Sequence, residues 1–161
     1  FPTRRSSDLG ITPFYTDMVY GRVSFALIAD RMFKSAPGQV ATWGGRADHL
    51  KDPKYDVSKL DKPGLELLGE RQEAFLNKWA ADWRGADMKC VLSQTIFCNL
   101  ANYHGGNQEF IFADLDSNGW PQSGPNRAVA AMRRGLAFHY AGDQHLPSIV
   151  HHGIDTWNDA G

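Results

Sequence analysis

Residues 125–145, PNRAVAAMRRGLAFHYAGDQH, change period in mid-course. From Pro125 onward Ala128, Val129 and Met132 fall on one side of a 3.6-residue helix, and a proline is welcome in the first turn, where no amide hydrogen is needed. Arg133 and Arg134 put positive charge at the negative end of that helix, and Gly135 follows as its stop. Leu136 to Ala141 then reads as a strand, which ends at the polar turn Gly142-Asp143-Gln144-His145. A helix leading directly into a strand that stops at a polar turn is the repeating unit of an α/β fold.

The same alternation continues upstream. Arg22 to Ala29 is apolar on both faces, as in a strand of a covered sheet, and it stops at Asp30-Arg31. Leu68, Phe75, Leu76, Trp79 and Trp83 share one helical face; Gly69 can cap it, Glu70 suits its positive end, and Gly85 is placed to close it. Met88 to Ser93 is predicted as a strand, and Ser148 to His152 as a fourth. Residues 34–64 and 99–124 have no clear period and read as long irregular connections, which in domains of this size are often functional. The prediction is an α/β domain with a largely buried sheet.

With 161 residues the chain has room for one ordinary domain. Hydrophobic residues are 42% and charged residues 22%, which excludes disorder and collagen-like structure. No stretch approaches the roughly 18 apolar residues of a membrane span. A net charge of −1 and the lack of a basic run leave no nucleic-acid-binding signature. Five Trp, five Tyr and nine Phe can fill a core or line a ligand pocket. Cys90 and Cys98 cannot build a disulfide framework or a thiolate zinc site and read as small buried hydrophobes. Residues 1–9, FPTRRSSDL, match one reading frame of a common sequencing-adapter oligonucleotide and are set aside as an expected artefact. Residues 10–161 are expected to be an internal fragment of a single domain.

Asp143 and His145 are the first candidates for chemistry. Two apart on a turn at a strand end, they can point at one metal centre, with a carboxylate for hard ions and an imidazole for iron, zinc or manganese. The same spacing also fits a turn aspartate that caps an amide beside a surface histidine. Asp114-Leu115-Asp116-Ser117-Asn118-Gly119 matches the opening of a calcium loop, but its twelfth position is Pro125 rather than a carboxylate, so a polar turn with Asx hydrogen bonds is the competing reading. His151 and His152 would face opposite sides of a strand, so that only one can join a site. His104 lies in a loop, and His49 and His139 have no evident partner. No dinucleotide-binding, phosphate-loop, nucleophile-elbow or zinc-protease motif occurs.

Taken in order, five blocks resemble the alkaline phosphatase D (PhoD-like) family of metallophosphatases over roughly residues 20–161. Asp30-Arg31-Met32-Phe33-Lys34 is similar to that family's strand followed by Arg-x-aromatic-basic, and Leu68-Gly69-Glu70-Arg71-Gln72 resembles its Leu-Gly-x-x-Gln helix start. MKCVLSQTIF (88–97) is similar to its strand ending in Gln, DSNGWPQSGPNR (116–127) to its Asp-to-Arg loop, and Gly142-Asp143-Gln144-His145 to its Gly-Asp-x-His block. The resemblance implies a partial αββα sandwich, with residues 10–161 its C-terminal portion. It also implies hydrolysis of phosphomonoesters or phosphodiesters by a metal-activated water or hydroxide. Asp143 and His145 would be metal ligands, Asp143 standing where many relatives have His, and Gln94 would occupy the place of another ligand histidine. Gln94, Arg127 and Arg31 are the further candidates for metal or substrate contacts. The cofactors implied are divalent or trivalent ions, calcium and iron among them, in a two- or three-metal centre; the partner is a small phosphate ester, and the location is outside the cytoplasm. Because the family's first ligand blocks lie upstream, the chain by itself is expected to be inactive. The rival reading is a non-catalytic module binding calcium or carbohydrate through the aromatics and the Asp114 turn.

Overall fold

The computed structural model describes residues 14–151 together with the backbone of Arg4 and Arg5. Its first strong turn is Gly21-Arg22, both at positive φ (56° and 65°), the two-residue hairpin geometry that matches the twist of the strands it joins. That turn links β2 (Phe14–Tyr20) to β3 (Val23–Leu27), and β1 (Arg4–Arg5) pairs along β2. There follow α1 (Asp30–Phe33, a single turn), β4 (His49–Leu50), α2 (Gly69–Ala81), β5 (Met88–Ser93), β6 (Tyr103–His104), β7 (Glu109–Phe110), β8 (Ala113–Asp114), α3 (Ser123–Arg134) and β9 (Phe138–Ala141). The main sheet has the order β1-β2-β3-β5-β9; β3, β5 and β9 run parallel, and β2 is antiparallel to β3. The fold is mixed α/β with open sheets, consistent with an incomplete αββα-type sandwich.

Three strands and two helices form where the sequence predicts them, within one or two residues at most ends. The differences have physical causes. Helix α2 stops at Ala81, short of Trp83 and Gly85. The buried Lys89 ammonium takes the carbonyls of Trp79 and Asp82 at 2.6 Å each, which satisfies the helix end early. The predicted fourth strand does not form over 148–151, and His152 lies outside the described residues. Residues 148–151 follow Pro147 and pair with no described strand, and a short segment without a ladder partner has nothing to fix it. Strand β2 carries no expectation from the sequence; its pairing with β3 adds it to the sheet. The candidate artefact, residues 1–9, lies outside the described residues apart from the backbone of β1.

Helices α2 and α3 cover one face of the sheet. Tyr15, Ala26 and Val91 meet Phe75, Leu76, Trp79, Ala128 and Met132 there. The long connections have a second core, in which Val40, Leu50, Leu60, Leu65, Leu115 and Trp120 pack together. At Gly119, φ is +80° and a Cβ would stand 2.8 Å from the Cys98 backbone nitrogen, so this crossing admits no side chain. The opposite face of the sheet is built in rows across four strands. Met18, Phe25, Cys90 and Phe138 form one row, and Thr16, Leu27, Leu92 and Tyr140 the next. Neither row contains a charge, and Phe138 and Tyr140 are 59% and 63% exposed.

Candidate functional site

The C-terminal ends of β3, β5 and β9 reach one edge of the sheet, as parallel strands require. Just beyond β3, the fully buried Asp30 carboxylate accepts hydrogen bonds from the backbone amides of Gln94 and Thr95 at 2.8 Å each, and from the Thr95 hydroxyl. It thereby ties the end of β3 to the end of β5. Gln72 does the same from the helix side. Its buried amide accepts from the Ala29 amide at 2.8 Å and donates to the Ala29 and Leu68 carbonyls at 3.0 and 2.9 Å. The Gln of the Leu-Gly-x-x-Gln block is thus a strut between α2 and the strand end.

On this braced edge the Arg31 guanidinium bridges two carboxylates. One nitrogen donates to both oxygens of Asp116 at 2.9 Å, and another to Asp143 at 3.0 Å. The Arg31 backbone amide approaches the Gln94 side-chain oxygen at 3.4 Å. The hydrogen bond that the guanidinium donates to Asp116 raises the Arg31 pKa against the opposing effect of burial. Lys34 donates to the Asp116 carbonyl, and its ammonium stands 5.8 Å from the centre of the Trp120 ring. Burial pushes the Lys34 amine down to about 8, against the pull of Asp116 and Asp114. Asp143 and His145 both have left-handed backbones, with φ of 68° and 56°, on a turn closed by Gln144 donating to the Gly142 carbonyl at 2.9 Å. His145 is exposed.

The structure therefore brings Arg31, Gln94 and Asp143 together. Arg127 stands elsewhere, on α3. Its Nε lies 2.9 Å from both oxygens of Glu73 and its guanidinium reaches to 3.8 Å from Glu66, along a cleft of about 510 Å³ also lined by Asp61 and Glu70. Asp116 and Lys34 complete the strand-end group. Sequence reasoning did not assign them to it, because neither lies on a strand end.

A second group forms where β4 pairs with β8. The register sets His49 opposite Asp114, and Asp48 precedes His49. Ligand atoms of Asp48, His49 and Asp114 all lie within 4.8 Å of one another, the only such group of three or more among the described residues, so the triad can coordinate a metal ion. His49 Nε2 is 3.5 Å from Asp48, and the His104 ring is centred 5.7 Å from the His49 ring. Burial drives the Asp48 carboxyl upward, but Arg46, a backbone amide and His49 together hold it below the usual carboxylate range. Asp114 is buried and forms the Asx turn expected of its loop, accepting from the Asp116 amide and the Ser117 hydroxyl at 2.8 Å each. Ser117 in turn lies 3.4 Å from the Gln144 side-chain oxygen, which places the two groups side by side. Only strand pairing across 65 residues makes this triad, so the signal in sequence is no more than an adjacent Asp48-His49 pair and a distant aspartate.

No family model matches the chain, and no curated protein matches it. Among solved structures it is similar to one described as "Structure of PhoD", with a TM-score of 0.57 and 19% identity over 86% of this chain. The chain spans 25% of the length of that one. At this identity the likeness is one of fold.

Proposed function

We propose that the chain is part of a metal-dependent phosphoesterase and supplies one edge of its metal centre. The observation that carries this reading is the meeting of Arg31, Gln94 and Asp143 from the ends of three parallel strands. Asp143 and His145 would hold metal. An exposed carboxylate and an imidazole on one turn are a suitable donor pair for divalent or trivalent ions, calcium and iron included. A metal held by these residues would supply Lewis acidity and an activated water for ester hydrolysis. Arg31 and Gln94 orient substrate oxygens, a guanidinium being suited to bidentate contact with phosphate. Asp143 and His145 alone are too few ligands for a two-metal centre, so on this reading turnover of phosphomonoesters or phosphodiesters needs further ligands, and the 161-residue chain by itself would lack it. Export from the cytoplasm follows from the same resemblance.

The second reading, a calcium- or carbohydrate-binding module centred on Asp114, is favoured by the approach of Asp48 and His49 to that carboxylate. Calorimetric titration with calcium and with manganese separates the two. Asp143→Ala removes binding under the enzyme reading and leaves it intact under the other, whereas Asp114→Ala does the reverse. Hydrolysis of bis(p-nitrophenyl) phosphate by the purified chain would refute its inactivity in isolation.

A further inference from the structure

We propose that Arg31 is the resident cation of the strand-end site, and that metal binding at Asp143 releases its guanidinium to hold a phosphate oxygen. The inference rests on the reading of Asp143 as a metal ligand. A single guanidinium joins two carboxylates here, at 2.9 Å from Asp116 and 3.0 Å from Asp143, and it is open to solvent on its outer side, 38% exposed. In this arrangement two carboxylates outweigh its single charge and take three of its five N–H donors, so an anion approaching it meets net negative charge.

An ion ligated by Asp143 would share that carboxylate with the Arg31 guanidinium, which already donates to it at 3.0 Å. Two cations on one carboxylate repel, and the Arg31 side chain is the part able to move. Its backbone is held independently, since α1 starts at Asp30, whose carboxylate is bound by Gln94 and Thr95. The long side chain can therefore turn while its root stays fixed. Turned away from Asp143, it presents a planar fork suited to a phosphate ester beside Gln94. Metal and phosphate then assist each other's binding, and linkage requires the two effects to be equal in size.

The test is calorimetry on the 161-residue chain with manganese(II) and with phenylphosphonate, each titrated with and without the other. Arg31→Gln should tighten manganese binding about fivefold to tenfold by removing the competing charge, and should weaken phenylphosphonate binding at saturating manganese by about tenfold. Arg31→Lys keeps the charge and should hold manganese within about twofold of the wild type. Circular dichroism of each variant confirms the fold. Changes in opposite directions for the two ligands support the proposal. A guanidinium that only clamps the two loops would weaken both on removal, and that result overturns it, as does unchanged manganese affinity in Arg31→Gln. Manganese binding indifferent to Asp143→Ala would remove the underlying reading and this inference with it. Binding that needs Asp143 but ignores Arg31 overturns this inference alone.

Discussion

Lys34 carries its ammonium into a pocket between Trp120 and the Asp116 carbonyl, where hydration is largely lost. Its amine is lowered to about 8 from an ordinary 10.5. Because the folded value lies below the unfolded one, the unfolded chain binds more protons between about pH 8 and 10.5, and stability rises with pH across that window. Below about pH 8 both states are protonated and the full cost of burying the charge is present. Relative to Lys34→Met, the wild-type chain should gain on the order of 3 kcal/mol between pH 7.5 and 10.5. Urea unfolding of both proteins at those pH values measures this, and a difference that stays flat with pH would contradict it. Lys89 is the contrasting case. Burial lowers its amine as well, but it holds two carbonyls at the end of α2 and stacks 4.4 Å from the Trp79 ring, so its cation is matched on several sides.

At the scale of elements, Gln72 shows what a motif can mean. The block Leu68 to Gln72 could be matched by its letters, but its reason emerges only when the glutamine meets both polar groups of Ala29. Gln72→Leu should destabilise the chain by about 2–4 kcal/mol, because an apolar replacement leaves the Ala29 amide and carbonyl buried and unpaired. Denaturant unfolding gives that number directly, and a loss below about 0.5 kcal/mol would show that the strut carries little load. The helices and the parallel strands were legible because their periodicity is local. Strand β2 was not, since Tyr15, Asp17 and Val19 on its helix side mix core and surface types, and an arginine at the hairpin turn is a poor signal for one. The candidate site was legible by half. Asp143, Gln94 and Arg31 sit at strand ends that the alternation of elements locates. Asp116, Lys34 and the triad of Asp48, His49 and Asp114 depend on how two long connections fold over their own core, and no period records that.

For the molecule as a whole, the uncharged rows of the sheet face away from the helices leave Met18, Phe138 and Tyr140 exposed among the described residues, with Cys90 buried and Phe25, Leu27 and Leu92 half-buried between them. Phe138 and Tyr140 stand side by side on β9, two exposed aromatic rings on one face with no charge in either row. The purified chain should enhance the fluorescence of an apolar dye such as anilinonaphthalene sulfonate while still showing cooperative unfolding. Phe138→Lys combined with Tyr140→Lys should cut that enhancement severalfold without loss of the helix signal, since both side chains point away from α2 and α3. Dye binding unchanged by the pair would place the apolar surface elsewhere.

The ion pair from Arg31 to Asp143 closes a span of 112 residues, and Asp30 reaches Gln94 and Thr95 across 64 and 65. Contacts so distant along the chain form slowly, because each requires a long loop to close before it returns any stabilisation. The edge that gathers Arg31, Gln94 and Asp143 is therefore a late event in the life of each molecule. A chain leaving the ribosome would have α2 and the β2–β3 hairpin long before residue 143 had appeared. Until β9 docks, Asp116 and Asp143 have no common cation between them, and whatever this edge binds has nowhere to go.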